Sequence, residues 1–210
     1  MSAPQWLVWA RDVQAIAQNG LTFCQNPYDR ERYEQLRLLS SNMLAALSDT
    51  TPEPVMALLE NERGYATPKI DVRGAVFNEK GEILMVREAI DQDRWTLPGG
   101  WAEVNLTTAQ NTLKEVLEES GYTAEIVKLA ALWDRDQQGH PPDLFSCAKV
   151  FYVCRLTGGT ATIDNLETSG IGWFDRNALP ADLSLGRLQP HQLTRMFDHY
   201  DRPELATDYD

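Results

Sequence analysis

The hydrophobic pattern changes from a helical to a strand period near residue 68, and this change limits the possible folds more than any other feature of the sequence. Residues 1–63 carry three sets of helix start and stop signals. Helices are predicted from Pro4 to Asn19 with a stop at Gly20, onward from Asp29 as a possible cap, and from Thr51 and Pro52 to a stop at Gly64. Periodic apolar residues mark the second helix, namely Tyr33, Leu36, Leu39, Met43 and Leu47. Because so short a bundle buries little core, we expect it to pack against another domain or a second subunit, and we predict a homodimer.

Strand patterns dominate from Lys69 onward. The predicted strands are IDVRGAVF and EILMVR, joined by the turn NEKGE, then AEIVKLAALW, CAKVFYVCRL and IGWF. One helix falls between the second and third of these strands, and another is predicted from Gln189 to Tyr200. Strands on both sides of a central helix indicate an α+β fold, in which a mixed sheet carries helices on its faces. The predicted domains are therefore a helical one over 1–63 and a sheet domain over 64–210, which begins with the linker GYATP.

The chain of 210 residues is strongly acidic, with a formal net charge of −12 and a pI near 4.7. Binding nucleic acid through its phosphates needs a basic face, so this composition argues against a nucleic-acid partner. A small anionic substrate would need local Arg and Lys side chains or a bound divalent cation to offset the negative field.

Other features place the chain among ordinary globular proteins. The three cysteines, Cys24, Cys147 and Cys154, have no zinc-site spacing and are expected to be buried thiols. Apolar runs such as residues 148–154 are too short to cross a bilayer, and the first residues lack a signal segment, so we expect no membrane association and a cytoplasmic location.

Three glutamates crowd the segment KEVLEESGY, Lys114 to Tyr122. On a helix, Glu115, Glu118 and Glu119 would be neighbours near the C-terminal end, where they repel one another and the helix dipole disfavours anions. The apolar stripe of this helix is predicted to be Ala109, Leu113, Val116 and Leu117, which puts the glutamates on roughly the opposite side. Alone, the triplet is either a solvated acidic face or a functional site.

A glycine loop precedes this helix. Pro98, Gly99 and Gly100 let the backbone approach a ligand closely, and Thr107 with Gln110 fits a capping box that marks the helix start. Backbone carbonyls of the loop can turn toward the glutamates, which would give the all-oxygen ligand set that Mg²⁺ prefers.

The segment GGWAEVNLTTAQNTLKEVLEESGY resembles the Nudix box, G-x5-E-x7-R-E-U-x-E-E-x-G-U, with U a bulky apolar residue. With Gly100 as the first glycine, the matching positions are Glu115, Val116, Glu118, Glu119, Gly121 and Tyr122. Two positions depart from the pattern: Leu106 stands for the first glutamate, and Lys114 stands for the arginine. Lys114 keeps the charge without the planar fork, and Glu103 is a candidate replacement for the missing acid.

The resemblance implies a Nudix-like α/β/α sandwich preceded by a small all-helical domain, and it implies roles for individual residues. Glu115, Glu118 and Glu119 are expected to bind the divalent metal, Mg²⁺ with Mn²⁺ as a substitute, with a carbonyl from Gly99 or Gly100. Lys114 is expected to steer Glu115 or its neighbours. Either Glu119 or Glu115 is expected to act as ligand and base, and the sequence does not separate the two roles.

The whole chain resembles Nudix hydrolases with an extra helical N-terminal domain, a branch similar to CDP-choline pyrophosphatase and ADP-ribose pyrophosphatase. The implied reaction cleaves the pyrophosphate of an X-linked nucleoside diphosphate into a nucleoside monophosphate and phosphorylated X. Five further residues are substrate-binding candidates: Arg73, Arg87, Trp101, His140 and Glu167. Each has a plainer alternative: surface ion pairs for the arginines, core packing for the tryptophan, a rigid proline turn around His140, and an exposed loop position for Glu167.

Two other functions remain open at this level. A nucleotide-sensing module that kept the fold and lost catalysis would explain Leu106 and Lys114, although a pure binding protein does not need three crowded acids. An enzyme acting on capped RNA is opposed by the acidic composition.

Overall fold

The structure is a computed structural model that describes residues 3–46, 48, 50–163 and 167–210. It divides the chain into two compact units. The helical unit comprises Ser2–Pro68 with Pro142–Ser146, and the sheet unit comprises Lys69–Pro141 with Cys147–Asp210. The first division thus falls after the linker GYATP, whereas the sequence placed it before that linker, and the segment 142–146 joins the helices.

The helical unit contains three helices, α1 (Gln5–Phe23), α2 (Pro27–Ala46) and α3 (Pro52–Asn61). Their shared core consists of Leu7, Ala10, Leu44, Ala45, Val55 and Leu59. Arg11 of α1 donates hydrogen bonds to the carbonyl oxygens of Asp143, Leu144 and Phe145, at 2.7, 3.3 and 3.3 Å. These bonds fix the segment 142–146 within this unit.

Two helix boundaries differ from prediction. Gly20 does not end α1, which continues to Phe23. A Cβ at Gly20 would lie 2.3 Å from the ring of Tyr33, so this glycine permits the close packing of α1 on α2. The start of α2 is at Pro27, where Asn26 Oδ1 accepts from the Tyr28 N–H, and Asp29 lies in the first turn rather than at the cap.

The predicted stripe of α2 is partly wrong. Met43 packs on the core, but Leu39 is 49% exposed, and Leu47 lies outside the described residues. Ser40 and Ser41 are buried instead, since their hydroxyls donate to the carbonyl oxygens of Ala10 and Pro52. Hydroxyls that are satisfied in this way can occupy helix contacts that apolar periodicity assigns to larger side chains.

The sheet unit is built on one mixed sheet, as predicted. Its described strands are β1 (Lys69–Phe77), β2 (Ile83–Glu88), β3 (Arg94–Thr96), β4 (Tyr122–Asp134), β5 (Cys147–Gly159), β6 (Thr168–Phe174) and β7 (Asp208–Tyr209). The order is β3-β2-β1-β5-β4-β7, with β6 also paired to β2. The pairs β1–β5 and β4–β7 are parallel, and the other pairs are antiparallel.

One helix covers each face of the sheet, α4 (Thr108–Ser120) and α5 (Pro190–Asp201). Alternate residues of β1 point to opposite faces: Val72 and Val76 share a core with Val116 of α4, while Ala75 and Phe77 share one with Leu193, Met196 and Phe197 of α5. The predicted α/β/α sandwich is therefore confirmed. None of the helices in the described part of the chain combines the length and apolar character that a membrane span requires.

Candidate active site

Helix α4 begins and ends as its sequence predicts. The Thr107 side chain accepts from the Gln110 N–H and the Gln110 side chain accepts from the Thr107 N–H, which completes the capping box. Gly121 ends the helix in the left-handed conformation, at φ +73°. The fully buried Asn111 side chain donates to the Glu103 and Thr107 carbonyl oxygens and accepts from the Glu103 N–H, so the preceding loop is tied to the helix.

The buried face of α4 differs from the predicted stripe. Leu117 is 50% exposed, whereas the helix buries Asn111, Thr112, Val116, Glu119 and Ser120. A Cβ at Gly74 of β1 would lie 2.8 Å from Val116 Cγ2 and 3.1 Å from Thr112 Cγ2. The helix therefore approaches β1 closely at Thr112 and Val116, and Glu119 lies on the buried side of the helix instead of in solvent.

The glycine loop contacts two of the three glutamates. The Gly99 N–H donates to Glu119 Oε2 at 2.9 Å, and Gly99 has φ +147°, where a Cβ would overlap the Val72 carbonyl oxygen. A Cβ at Gly100 would lie 3.3 Å from Glu115 Oε1. The Gly100 carbonyl oxygen accepts from the Val72 N–H at 2.8 Å. The loop thus presents an N–H to Glu119, and of the two predicted carbonyl donors the Gly100 oxygen already accepts a backbone hydrogen bond.

All three glutamates line one cavity of about 520 Å³. Glu167, the loop acid indicated by the resemblance, lines the same cavity, as does Thr162 beyond the helix end. The Glu167 carbonyl oxygen accepts from the Ala89 N–H at 2.7 Å, which holds this loop beside the end of β2. The structure therefore brings together four carboxylates from two distant parts of the sequence.

Burial makes two of these carboxylates, Glu119 and Glu115, difficult to ionise. Glu119 is only 6% exposed, and loss of hydration raises its pKa to about 8, although the charge of Arg73 and the Gly99 N–H oppose the rise. Loss of hydration also raises the pKa of Glu115, with Lys114 opposing and Glu118 adding to the effect. Glu119 and Glu115 are therefore two carboxylates of this cavity whose ionised form the fold disfavours.

Lys114 contacts two acids that are more exposed than Glu119, namely Glu118 and Glu103. Its Nζ lies 2.5 Å from Glu118 Oε2 and 3.2 Å from Glu103 Oε1. The bond to Glu118, together with the one to Glu103, raises the pKa of Lys114. Lys114 thus pairs with Glu118, a neighbour of Glu115, and with Glu103; a steering role for this lysine stays a prediction.

Arg73 does not reach the cavity as a substrate ligand. Its side chain is 3% exposed and forms two bonds to Asp71, Nε to Oδ1 at 3.0 Å and Nη2 to Oδ2 at 2.6 Å. Lys149 Nζ donates to Asp71 Oδ1 at 2.7 Å and is equally buried. The prediction of a phosphate contact is wrong for Arg73, because Arg73 is closed into a buried ion cluster and acts on Glu119 only through its charge.

The location predicted for His140, in a loop that closes over a substrate, also differs from the structure. His140 is 8% exposed, and its Nδ1 is 2.8 Å from the Leu185 carbonyl oxygen, so it packs inside the sheet unit instead of closing over a substrate. Burial lowers its pKa to about 4, which keeps the ring neutral.

Arg87 and Trp101 remain at the surface. Arg87 lies over the Trp95 ring, 4.8 Å from its centroid, and 3.8 Å from Asp182. The surface interactions considered for Arg87 are thus the ones observed. Trp101 follows the glycine loop and is 53% exposed, whereas Trp133 is buried, so Trp101 remains the stacking candidate among the tryptophans.

Sequence reasoning missed one acid near the cavity. Glu88, at the end of β2, is 8% exposed, interacts electrostatically with Glu119 and pairs with Arg187, Oε2 to Nε at 3.1 Å. Glu88 directly follows the apolar run EILMVR, and a charged residue at that position was the signal in the sequence that could have identified it. Its link to Arg187 comes from tertiary structure and has no sequence signature.

The donor set fits a hard divalent cation. Carboxylate oxygens are the ligands that Mg²⁺ and Mn²⁺ prefer, and Glu115, Glu118 and Glu119 line one cavity. Within the described residues, no three His, Cys, Asp or Glu side chains are already grouped as a metal site. Glu118 pairs with Lys114, so side-chain rotation would have to accompany metal binding.

Comparison with known proteins agrees with this geometry. Residues 4–59 match the family described as a UDP-X-like N-terminal oligomerisation domain, and residues 67–195 match the NUDIX domain. The Bacillus subtilis (strain 168) protein named "Putative ADP-ribose pyrophosphatase YjhB" is 43% identical over 206 residues, which cover 98% of this chain and 97% of that protein.

Solved structures show the same relationship. A UDP-X diphosphatase superimposes with a TM-score of 0.60 and 33% identity, covering 100% of this chain and 99% of its own. An ADP-ribose pyrophosphatase from Streptococcus suis gives a TM-score of 0.61 and 36% identity, covering 69% of this chain and 100% of its own. The NUDIX match over most of the chain and the full-length relative lead to one conclusion: this protein belongs to the Nudix hydrolase family.

Proposed function

We propose that this Nudix hydrolase cleaves the pyrophosphate of an X-linked nucleoside diphosphate, of the CDP-choline or ADP-ribose type, and depends on Mg²⁺ or Mn²⁺. The products would be a nucleoside monophosphate and phosphorylated X. One observation carries the proposal: Glu115, Glu118, Glu119 and Glu167 share one cavity, and burial raises the pKa of Glu115 and Glu119 within it. The names of the relatives, ADP-ribose pyrophosphatase and UDP-X diphosphatase, support the substrate class.

Glu115, Glu118 and Glu119 would hold the ion, with the Gly99 carbonyl as a further donor. When bound, a divalent ion supplies charge neutralisation at the pyrophosphate and lowers the pKa of a bound water. The chain contributes the rest. The Gly99 N–H fixes one oxygen of Glu119, so the carboxylate is oriented before substrate arrives.

Glu119 is the better candidate for the general base. The Gly99 N–H orients Glu119 Oε2 inside the cavity, and in the metal-free chain burial raises the pKa of this carboxyl to about 8. Glu115 and Glu167 remain alternatives because both line the cavity. Trp101, exposed next to the glycine loop, would stack on the base of the nucleotide.

A product-resolved assay tests the proposal. The full chain is incubated with CDP-choline, ADP-ribose and UDP-linked sugars, with Mg²⁺, with Mn²⁺ and with a chelator. Glu119→Gln is expected to lower kcat by roughly 10²–10⁴-fold. Glu125→Gln is the matched control, because Glu125 is an exposed β4 acid that pairs with Arg155 outside the cavity, and it should retain full activity.

Two results would overturn the proposal. Turnover unaffected by the chelator or by Glu119→Gln would remove the metal-carboxylate site. Ligand-induced thermal stabilisation without any product would favour the nucleotide-sensing alternative.

We also propose that the chain forms a homodimer through its helical unit. The match of residues 4–59 to an oligomerisation domain supports this, as do the large apolar side chains that α1 exposes on one side, Trp9, Ile16 and Phe23. Sedimentation as a monomer at micromolar concentration would contradict it.

A further inference from the structure

A second cavity lies in the helical unit and contains a polar group that the fold leaves unsatisfied. Its volume is about 160 Å³. Gln14 of α1 lines it and is only 8% exposed, yet neither Nε2 nor Oε1 has a hydrogen-bond partner. Leaving a buried amide unpaired costs about 1–3 kcal/mol per group, so both atoms call for an explanation.

The rest of the wall is mainly apolar and fixed in place. Leu44 of α2, Leu59 of α3, Leu144 and Phe145 line the cavity beside Gln14. Arg11 holds the segment 142–146 through its three bonds to backbone carbonyl oxygens, so the wall containing Leu144 and Phe145 is anchored to α1. Apolar walls with a few placed polar groups are typical of small-ligand sites.

The size of the cavity indicates the size of a ligand. A purely apolar cavity of about 150 Å³ in another protein stays dry and binds benzene. The present cavity has similar volume but carries one amide, which offers a donor and an acceptor side by side. A six-membered ring with an N–H next to a C=O matches both the volume and the amide.

We propose that this cavity binds a small cyclic amide, with the ligand N–H donating to Gln14 Oε1 and the ligand C=O accepting from Gln14 Nε2. The two bonds would satisfy both unpaired atoms together, and the leucines and Phe145 would cover the ring faces. This site belongs to the helical unit and does not depend on the hydrolase reaction.

The test uses 2-pyridone, a seven-heavy-atom lactam, with N-methyl-2-pyridone as its matched partner that lacks the N–H. We expect 2-pyridone to raise the Tm of the full chain and to bind at least tenfold more tightly than the N-methyl compound, because a site built around a hydrogen bond rejects an analogue that lacks it. Benzene serves as the shape control.

Two variants separate the site from helix stability. Gln14→Met removes the amide at similar length and should abolish the preference for 2-pyridone while leaving the Tm of the free protein unchanged or higher. Gln18→Met is the control: Gln18 is equally buried on α1, but its Nε2 donates to the Gly64 carbonyl oxygen and it does not line the cavity. It should lower the Tm and keep 2-pyridone binding.

Equal binding of the two pyridones, or unchanged 2-pyridone binding by Gln14→Met, would overturn the proposal. If Gln14→Met fails to fold, a crystal of the unsubstituted protein soaked in 2-pyridone decides the question. Ring density within hydrogen-bonding distance of Gln14 supports the site, and water alone on Gln14 refutes it.

Discussion

The sheet unit contains two ionic clusters that treat a buried carboxylate in opposite ways. Burial disfavours ionisation of Asp71, but the charges of Arg73 and Lys149 outweigh it and lower the pKa to about 2. Glu119 is as deeply buried, and loss of hydration raises its pKa to about 8, because the charge of Arg73 and the Gly99 N–H only partly oppose the rise and Glu115 and Glu88 add repulsion. Burial alone therefore does not determine ionisation; the number of neighbouring cations does.

The difference separates a structural from a functional use of charge. In the Asp71 cluster, Arg73 and Lys149 neutralise the carboxylate, so this cluster does not need an external cation. Glu119 instead lines a cavity in which its ionised form is disfavoured, which is the condition under which an external cation gains most.

Asp71→Asn should destabilise the protein by about 3–5 kcal/mol, because it leaves Arg73 and Lys149 buried with no carboxylate between them. Denaturant unfolding measures the change. The double variant Asp71→Asn with Lys149→Met should recover much of the loss, since one of the two stranded charges is gone. Glu125→Gln, in an exposed pair with Arg155, should cost less than about 1 kcal/mol.

A loss below about 1 kcal/mol in Asp71→Asn would erase the contrast, because the Asp71 cluster would then be as dispensable as a surface ion pair. Burial already lowers the pKa of Lys149, so proton release from this lysine can limit the loss. Stability measured at several pH values would reveal that release.

Glu119→Gln should stabilise the metal-free protein at alkaline pH by roughly 2–4 kcal/mol, given about 1.4 kcal/mol per unit of pKa difference and a buried group. The folded pKa of about 8 lies above the ordinary value of 4.5, so folding favours the protonated acid. The wild type therefore loses stability as pH rises from about 4.5 to about 8, and the variant does not. Below this range the two proteins should be equally stable.

Unfolding in a chelator at pH 4, 6 and 9 checks this pH dependence. Adding Mg²⁺ or Mn²⁺ at pH 9 should stabilise the wild type and not the variant, because an ion that binds only the folded state adds to its stability. A wild type that is more stable than Glu119→Gln at pH 9 without metal would show that the chain already compensates Glu119.

The sequence predicted what depends on local pattern and missed what depends on the approach of distant elements. Turn and cap residues such as Thr107, Gln110 and Gly121 mark the ends of α4 by themselves, and alternation marks β1. The face that α4 buries depends on Gly74, which lies on another element, so apolar periodicity chose Leu117 and left Glu119 outside. Helical spacing singled out the three glutamates, and the resemblance added Glu167, which spacing along the chain does not connect to them.

The arginines and histidine show the same limit. The alternation of β1 places Arg73 on the face of Ala75 and Phe77, so a buried partner was deducible, but its identity as Asp71 with Lys149 requires the parallel pairing of β1 and β5. His140 was assigned to an open loop because its partner, the Leu185 carbonyl oxygen, lies far along the chain.

Lys114→Met should have the smallest effect on stability, within about 1 kcal/mol, because its pairs with Glu118 and Glu103 are partly exposed. The effect of Lys114→Met on metal binding tests the difference between the Asp71 cluster and the Glu119 cluster. Lys114 touches the box glutamate Glu118, so its removal should raise the affinity for Mn²⁺ a few-fold at low ionic strength, and the gain should shrink as salt screens the charges. Lys114→Arg keeps the charge and should match the wild type, and Lys80→Met, in the β1–β2 turn, controls for the loss of a lysine.

Calorimetric titration with Mn²⁺ distinguishes the outcomes: weaker binding by Lys114→Met would mean that the lysine holds Glu118 in its binding position instead of competing with the ion for it.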